Sequence, residues 1–149
     1  MNAGLIPTAS NIGAISRATL CLINDARWAA GVGPLTENAA LDRAAVGHSA
    51  DMVGAGYFDH TGPDGRTAGQ RVLAAGFVPR PGGAIGENLG GATLSNATPA
   101  AIVASWMGSP GHRANILSPD YRETGLGVAA VAPAGLGGQP GATYTEDFA

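Results

Sequence analysis

Apolar residues recur at helical spacing through the first two-thirds of this chain and alternate with polar ones in the last third. From Ile15 to about Ala30 the positions Ile15, Thr19/Leu20, Leu22/Ile23, Ala26 and Ala30 follow the three-and-four rhythm of a helix face. Gly31 and Gly33-Pro34 then stop it. A second helix is predicted from about Glu37 to Val53, with Leu41, Ala44/Ala45, His48 and Met52 as its inward stripe. Thr67 and Gln70 stand at capping-box spacing and predict a short helix over 68–75, ended by Gly76. Thr98-Pro99 offers a cap and a proline at the first helical position for a third main helix, whose apolar face is Ile102, Val103, Trp106 and Met107. Ser109-Pro110 repeats that signal and opens a short helical turn through Ile116. Residues 125–131 and 142–148 read as strands, the second setting Tyr144, Glu146 and Phe148 on one side and Thr143, Thr145 and Asp147 on the other. The Gly- and Pro-rich segment 133–141 joins them as a hairpin loop, residues 77–86 read as loop, and residues 1–14 read as an irregular arm before one domain over 15–149. Helices first and strands last predict an α+β or layered domain rather than a doubly wound sheet, which would alternate them.

Composition narrows this picture. A chain of 149 residues suits one core. With 45% hydrophobic and 13% charged residues, a buried interior is expected, and 24 glycines with 10 prolines make it loop-rich. The net charge is −3 and only eight residues are basic, with no basic run, so nucleic acid is not an expected partner. All the basic residues are arginines; a Schiff-base lysine, a P-loop lysine and a lysine general base are excluded. Cys21 is the one cysteine, so no disulfide can form within the chain. Its place in the apolar run 20–23 predicts a buried thiol, with a bond to a cysteine outside this chain as the alternative. No stretch is apolar enough to span a membrane. The first sixteen residues lack the basic start of a signal peptide, as a mature exported domain also would.

The three histidines fall in two dense, turn-punctuated blocks, HSADMVGAGYFDH (48–60) and WMGSPGHRANILSP (106–119), and Glu87 falls in a third, GENLGG (86–91). Histidine changes charge near neutral pH and is the commonest metal ligand. His60, Glu87 and His112 therefore compose either a divalent-metal set, for which imidazoles favour zinc, or an acid–base set with Glu87 and His112 as the catalytic groups. The residues lie far apart in sequence and form no local ligand motif, so both alternatives stay open. His48 lies on the helix stripe and reads as a core histidine. Ser109 beside His112 suggests a nucleophile, but a serine before proline at a helix start is explained by capping, and no G-x-S-x-G elbow occurs. Asn115 and Arg113 are expected to fix the 109–117 turn, Asp59 and Asp64 to make turns, and Trp106 to fill the core.

In order along the chain, the blocks LINDARWAAGVGPLTENAALDRAAVGHSADMVGAGYFDHTGPDGRT, GENL, WMGSPGHRANIL, ETGLGV and YTEDFA resemble the CAP superfamily (cysteine-rich secretory protein, antigen 5, pathogenesis-related 1), in its bacterial SCP-like extracellular branch. The resemblance spans roughly residues 18–149. It implies a three-layer α-β-α sandwich with a mostly antiparallel central sheet. It also implies a cleft in which His60 is the first histidine, Glu87 the acid and His112 the second histidine, with Ser109, Asn88, Asn115 and His48 in support. The family's second acidic position falls on Ser109, which removes one carboxylate, and its usual disulfides are absent. The function so implied is that of an exported, monomeric domain. Its cleft would bind a divalent metal, Zn2+, through His60, His112 and Glu87, and with it a small-molecule, lipid or cell-envelope ligand. Two alternatives accompany this reading: a metal-assisted hydrolase of peptide or cell-envelope material with Glu87 as general base, and a sterol- or lipid-binding module.

Overall fold

The computed structural model describes residues 2–136 and 138–149. Five helices, α1 (Ile12–Ala29), α2 (Ala39–Ala55), α3 (Ala68–Ala74), α4 (Pro99–Gly108) and α5 (Pro110–Leu117), surround four strands, β1 (Thr36–Glu37), β2 (Gly86–Thr93), β3 (Glu123–Ala129) and β4 (Gly141–Phe148). The strands lie in the order β1-β3-β4-β2. β4 pairs antiparallel with both β3 and β2, and only the two-residue β1 runs parallel to its neighbour. Helices cover both faces, which makes a three-layer α-β-α sandwich.

The alternation along β4 decides which helix meets which face, because successive side chains of a strand point to opposite sides. Tyr144 and Phe148 enter one core cluster with Ile15 and Ile23 of α1, Ile102, Val103 and Trp106 of α4, and Ile116 of α5. Thr143, Thr145 and Asp147 point the other way, toward α2, where Ser49 bonds to Thr145 across 2.8 Å. Leu41 and Ala44 of α2 close a second cluster with Val72 of α3 and Phe77. Every residue of β4 is buried, as a central strand between two helical layers requires.

α2 rides unusually close to β3. A Cβ added at Gly125 would lie 2.1 Å from the carbonyl carbon of Leu41, and one at Gly127 would lie 2.1 Å from that of Ala45. The two glycines let helix backbone rest directly on strand backbone. On the opposite face α1 is tied down by Arg27, which is only 1% exposed. Its guanidinium donates to the carbonyls of Gly33 (2.7 Å), Ile116 (2.6 Å), Ser118 (3.0 Å) and Tyr121 (3.1 Å).

The capping signals predict the helix starts well. Thr67 accepts from Gln70 N while the Gln70 side chain returns to Thr67 N, a complete capping box. Thr98 caps α4 ahead of Pro99. Thr67→Ala should cost about 1 kcal/mol in urea unfolding; no change would mean that α3 is held by packing alone. Three expectations need correction, and one element goes unread in the sequence. α1 starts at Ile12, so the irregular arm is shorter than residues 1–14. Its buried face runs Ile15, Ala18, Thr19, Ile23, Arg27 and leaves Ala30 exposed. Cys21 is a free thiol that is half-buried rather than buried. The segment holding Glu87 is a strand, β2, whose three glycines and lack of β-branched residues before Thr93 hide it from any propensity rule.

Glu146 is a fully buried acid on the α1 side of β4. Thr124 Oγ1 donates to its Oε1 at 3.2 Å, while Oε2 has no partner. Burial foremost raises its pKa well above the ordinary glutamate range. The folded chain thus holds this proton to higher pH than the unfolded chain. Glu146 contributes most to stability below the ordinary glutamate range, and that contribution is lost as pH rises, by up to about 1.4 kcal/mol per pH unit. Glu146→Gln should raise the melting temperature at neutral pH and flatten its decline with pH. An unchanged pH profile would place the ionised form of Glu146 in the fold.

Candidate functional site

β2 is the edge of the sheet, and the site is built across it. Glu87 points to the α2/α3 side and Asn88 to the α5 side, as alternation demands. His60 comes from the turn after α2. That turn is held by Asp59, which accepts from Thr61 N, and by Asp64, which accepts from Arg66 N and pairs with its guanidinium. The His60 side chain is 57% exposed, whereas that of Glu87 is 3% exposed.

Glu87 is the hub. His60 Nδ1 lies 2.7 Å from its Oε1, and Arg71 of α3 donates from Nη2 to its Oε2 at 2.6 Å. A carboxylate only accepts, so the His60 Nδ1 carries the proton in this contact. Arg71 Nη1 also donates to the His60 and Arg66 carbonyls, each at 2.9 Å, which fastens the turn to α3. Behind Glu87 sits His48, buried on α2, with Nε2 3.0 Å from the Asp59 carbonyl and 3.9 Å from Glu87 Oε2. Burial foremost lowers the His48 pKa, the Arg71 charge adding to it against the pull of Glu87. Neutral His48 therefore donates to Asp59 from Nε2. Tyr57 OH, which donates to Asp51 at 2.5 Å, lies 3.4 Å from its other nitrogen. His48 is thus a structural group that holds the His60 turn.

His112 lies in the first turn of α5, on the other side of β2. Asn88 Nδ2 donates to its carbonyl at 3.1 Å. Asn115 Nδ2 in turn donates to Asn88 Oδ1 at 2.9 Å and to the Glu87 carbonyl at 3.2 Å. Burial foremost lowers the His112 pKa, and the charge of His60 lowers it further. Beyond His112 opens a groove of about 420 Å³ lined by Phe58, by Leu89 of the edge strand, and by Ile102, Ser105 and Trp106 of α4. Trp106 is both core and wall: it is buried, and its Nε1 donates to the Leu89 carbonyl at 2.8 Å.

Several expectations change here. Both oxygens of Glu87 are engaged, by His60 and by Arg71, so Glu87 stands behind His60 rather than beside it as a third ligand. Among the described residues no group of three or more His, Cys, Asp or Glu side chains is arranged to hold a metal ion. The Glu87 side chain is also only 3% exposed, which leaves it little access to a water, as a general base needs. Ser109 precedes α5 but makes no side-chain cap bond; its backbone serves instead, accepting from Arg113 N. Asn115 ties α5 to β2 rather than closing its own turn, and Arg113 is exposed. Two residues of the site carry no sequence signal. Arg71 is one of eight arginines, on a short helix. Asp147 faces Glu87 through strand pairing between residues far apart in the chain.

The domain model described as "Cysteine-rich secretory protein family" (CAP) matches residues 20–135. The chain is 29% identical over 139 residues to the uncharacterized protein YkwD of Bacillus subtilis (strain 168), covering 93% of this chain and 48% of that one. It thus spans about half the length of this curated relative. Among solved structures, an extracellular protein containing a SCP domain from Bacillus anthracis superposes with a TM-score of 0.75 at 24% identity, over 95% of this chain and 43% of that one. An outer surface protein from Borrelia burgdorferi gives a TM-score of 0.72 at 16% identity, over 97% of this chain and 96% of that one. The family match over most of the chain, on a sandwich shared with these structures, makes this protein a member of the CAP family.

Proposed function

We propose that the cleft is a divalent-metal site in which His60, through Nε2, and His112 are the protein ligands, with zinc the best-suited ion. The observation that carries this reading is the 2.7 Å contact between His60 Nδ1 and Glu87. A ligating histidine characteristically donates its other ring N–H to a carboxylate, which fixes the tautomer and orients the ring. Glu87, held by Arg71, is that carboxylate, and His60 is exposed enough for its Nε2 to meet an ion. Two imidazoles suit zinc better than calcium or magnesium, which take oxygen shells. Bound there, the ion would supply Lewis acidity and open positions for a small ligand entering along the groove beside His112. Half-buried His112, its pKa lowered by desolvation, keeps its ring available as a ligand. We place the domain outside the cytoplasm, because the Bacillus anthracis relative is described as extracellular and the Borrelia burgdorferi one as an outer surface protein.

Calorimetric titration with zinc chloride tests the site. His60→Ala and His112→Ala should each abolish measurable binding, and Glu87→Gln should weaken it by roughly ten- to a hundredfold. Binding of equal strength in wild type and in the His60→Ala/His112→Ala double variant would overturn the reading. The general-base hydrolase is not favoured, since Glu87 is buried behind His60 and away from solvent.

A further inference from the structure

We propose that Asp147 is the positioning residue of the cleft: it carries a proton and donates it to Glu87, so that Asp147, Glu87 and His60 form one hydrogen-bonded line from the sheet interior to the cleft. Asp147 of β4 is the direct cross-strand partner of Glu87 in β2. Residues so paired point to the same face with their Cβ atoms roughly 4.5–5.5 Å apart. Both are buried, Asp147 completely. Treated as a carboxylate, Asp147 has no hydrogen-bond donor at either oxygen. As an acid, it has a carboxylate acceptor directly across the strand pair, Glu87. A buried polar group without a partner is rare and costly, and a single proton between the two carboxyls removes the cost.

The surroundings decide which of the two holds it. Glu87 accepts from two donors, His60 Nδ1 and Arg71 Nη2, and is therefore the charged member. Asp147 accepts from none and is therefore the acid. The charge count agrees. Arg71 from α3 is the cation at Glu87, while His48 from α2 is driven toward its neutral form by burial. Ser49 and Thr145 are engaged with each other and with the Gly127 carbonyl. One cation balances one carboxylate, and a second negative charge would stand uncompensated in the interior. Burial foremost, and then the Glu87 charge, raise the Asp147 pKa. The chain thus has a second carboxyl at its cleft acid, reached from the last strand rather than from position 109.

The functional consequence rests on the reading of His60 as a ligand, but the test needs no metal. In the infrared spectrum of the metal-free protein at neutral pH, the carbonyl stretch of protonated carboxylic acid should contain a component that Asp147→Asn removes. The contribution of Glu146 should remain in that variant and disappear in Glu146→Gln. In nitrogen-detected NMR, Asp147→Asn, whose amide also donates, should retain the wild-type His60 tautomer and Nδ1–H resonance. Asp147→Leu, which cannot donate, should shift or broaden that resonance. Should Asp147→Leu not fold, the infrared comparison on Asp147→Asn decides alone. Acid absorption unchanged in Asp147→Asn, or a His60 signal in folded Asp147→Leu identical to wild type, would overturn the proposal. If zinc fails to bind while these signatures appear, the metal reading falls and the carboxyl pair stands.

Discussion

Arg27→Met should destabilise the fold by roughly 3–5 kcal/mol, read as a lower urea midpoint at unchanged slope. Methionine replaces much of the buried stem, so little of this loss comes from packing. The loss comes from the carbonyls of Gly33, Ile116, Ser118 and Tyr121, which all lose their donor. Two of these bonds, to Ile116 and Tyr121, are buried, and each orphaned buried acceptor costs about 1–3 kcal/mol. Arg27→Lys should recover only part of the loss, because one ammonium cannot match the planar fork that spans four acceptors. These carbonyls belong to the loop after α1 and to the chain from the end of α5 into β3, so the variant should loosen the α5 side of the cleft first. A loss below about 1 kcal/mol would mean that water replaces the guanidinium, and that the cross-connection is dispensable.

Gly127→Ala should be nearly as severe, at about 3 kcal/mol, and the double variant Gly125→Ala/Gly127→Ala should not fold. The methyl groups would meet main-chain atoms of α2, around Leu41 and Ala45, rather than side chains that can rotate away. Relief requires α2 to lift from β3, which would move His48 and with it the His60 turn. Thermal melts and the His60 imidazole resonances should therefore change together in Gly127→Ala. A stable variant with wild-type His60 signals would show that α2 can shift without disturbing the site.

The helices are legible in the sequence because their signals are local. Thr67 with Gln70, Thr98 with Pro99 and the stripe from Leu41 to Met52 each act within a few turns of chain. β4 is legible by alternation, and β3 is legible as a strand, read over 125–131 where it runs Glu123–Ala129. β2 is not, because Gly86, Gly90 and Gly91 sit where neighbouring groups press on the strand, including Trp106 at Gly90 and Pro133 at Gly91. The packing that selects those glycines is non-local, and so is the reason the segment is extended. The same distinction runs through the site. His60, Glu87 and His112 stand out as rare residue types in unusual blocks. That Glu87 backs His60 rather than joining it depends on Arg71 and Asp147, which reach it from α3 and β4 through tertiary packing.

Edge strands invite other chains to add to them, and this sheet has two blunt rims. β1 offers only two residues, too few to template a partner. On β2 the carbonyls of Glu87 and Leu89 are already taken by Asn115 and Trp106. The contacts that shape the cleft therefore also act as a guard against intermolecular sheet growth. Removing either donor should expose a sticky ladder as well as deform a pocket, so aggregation on heating would accompany any loss of binding in such variants.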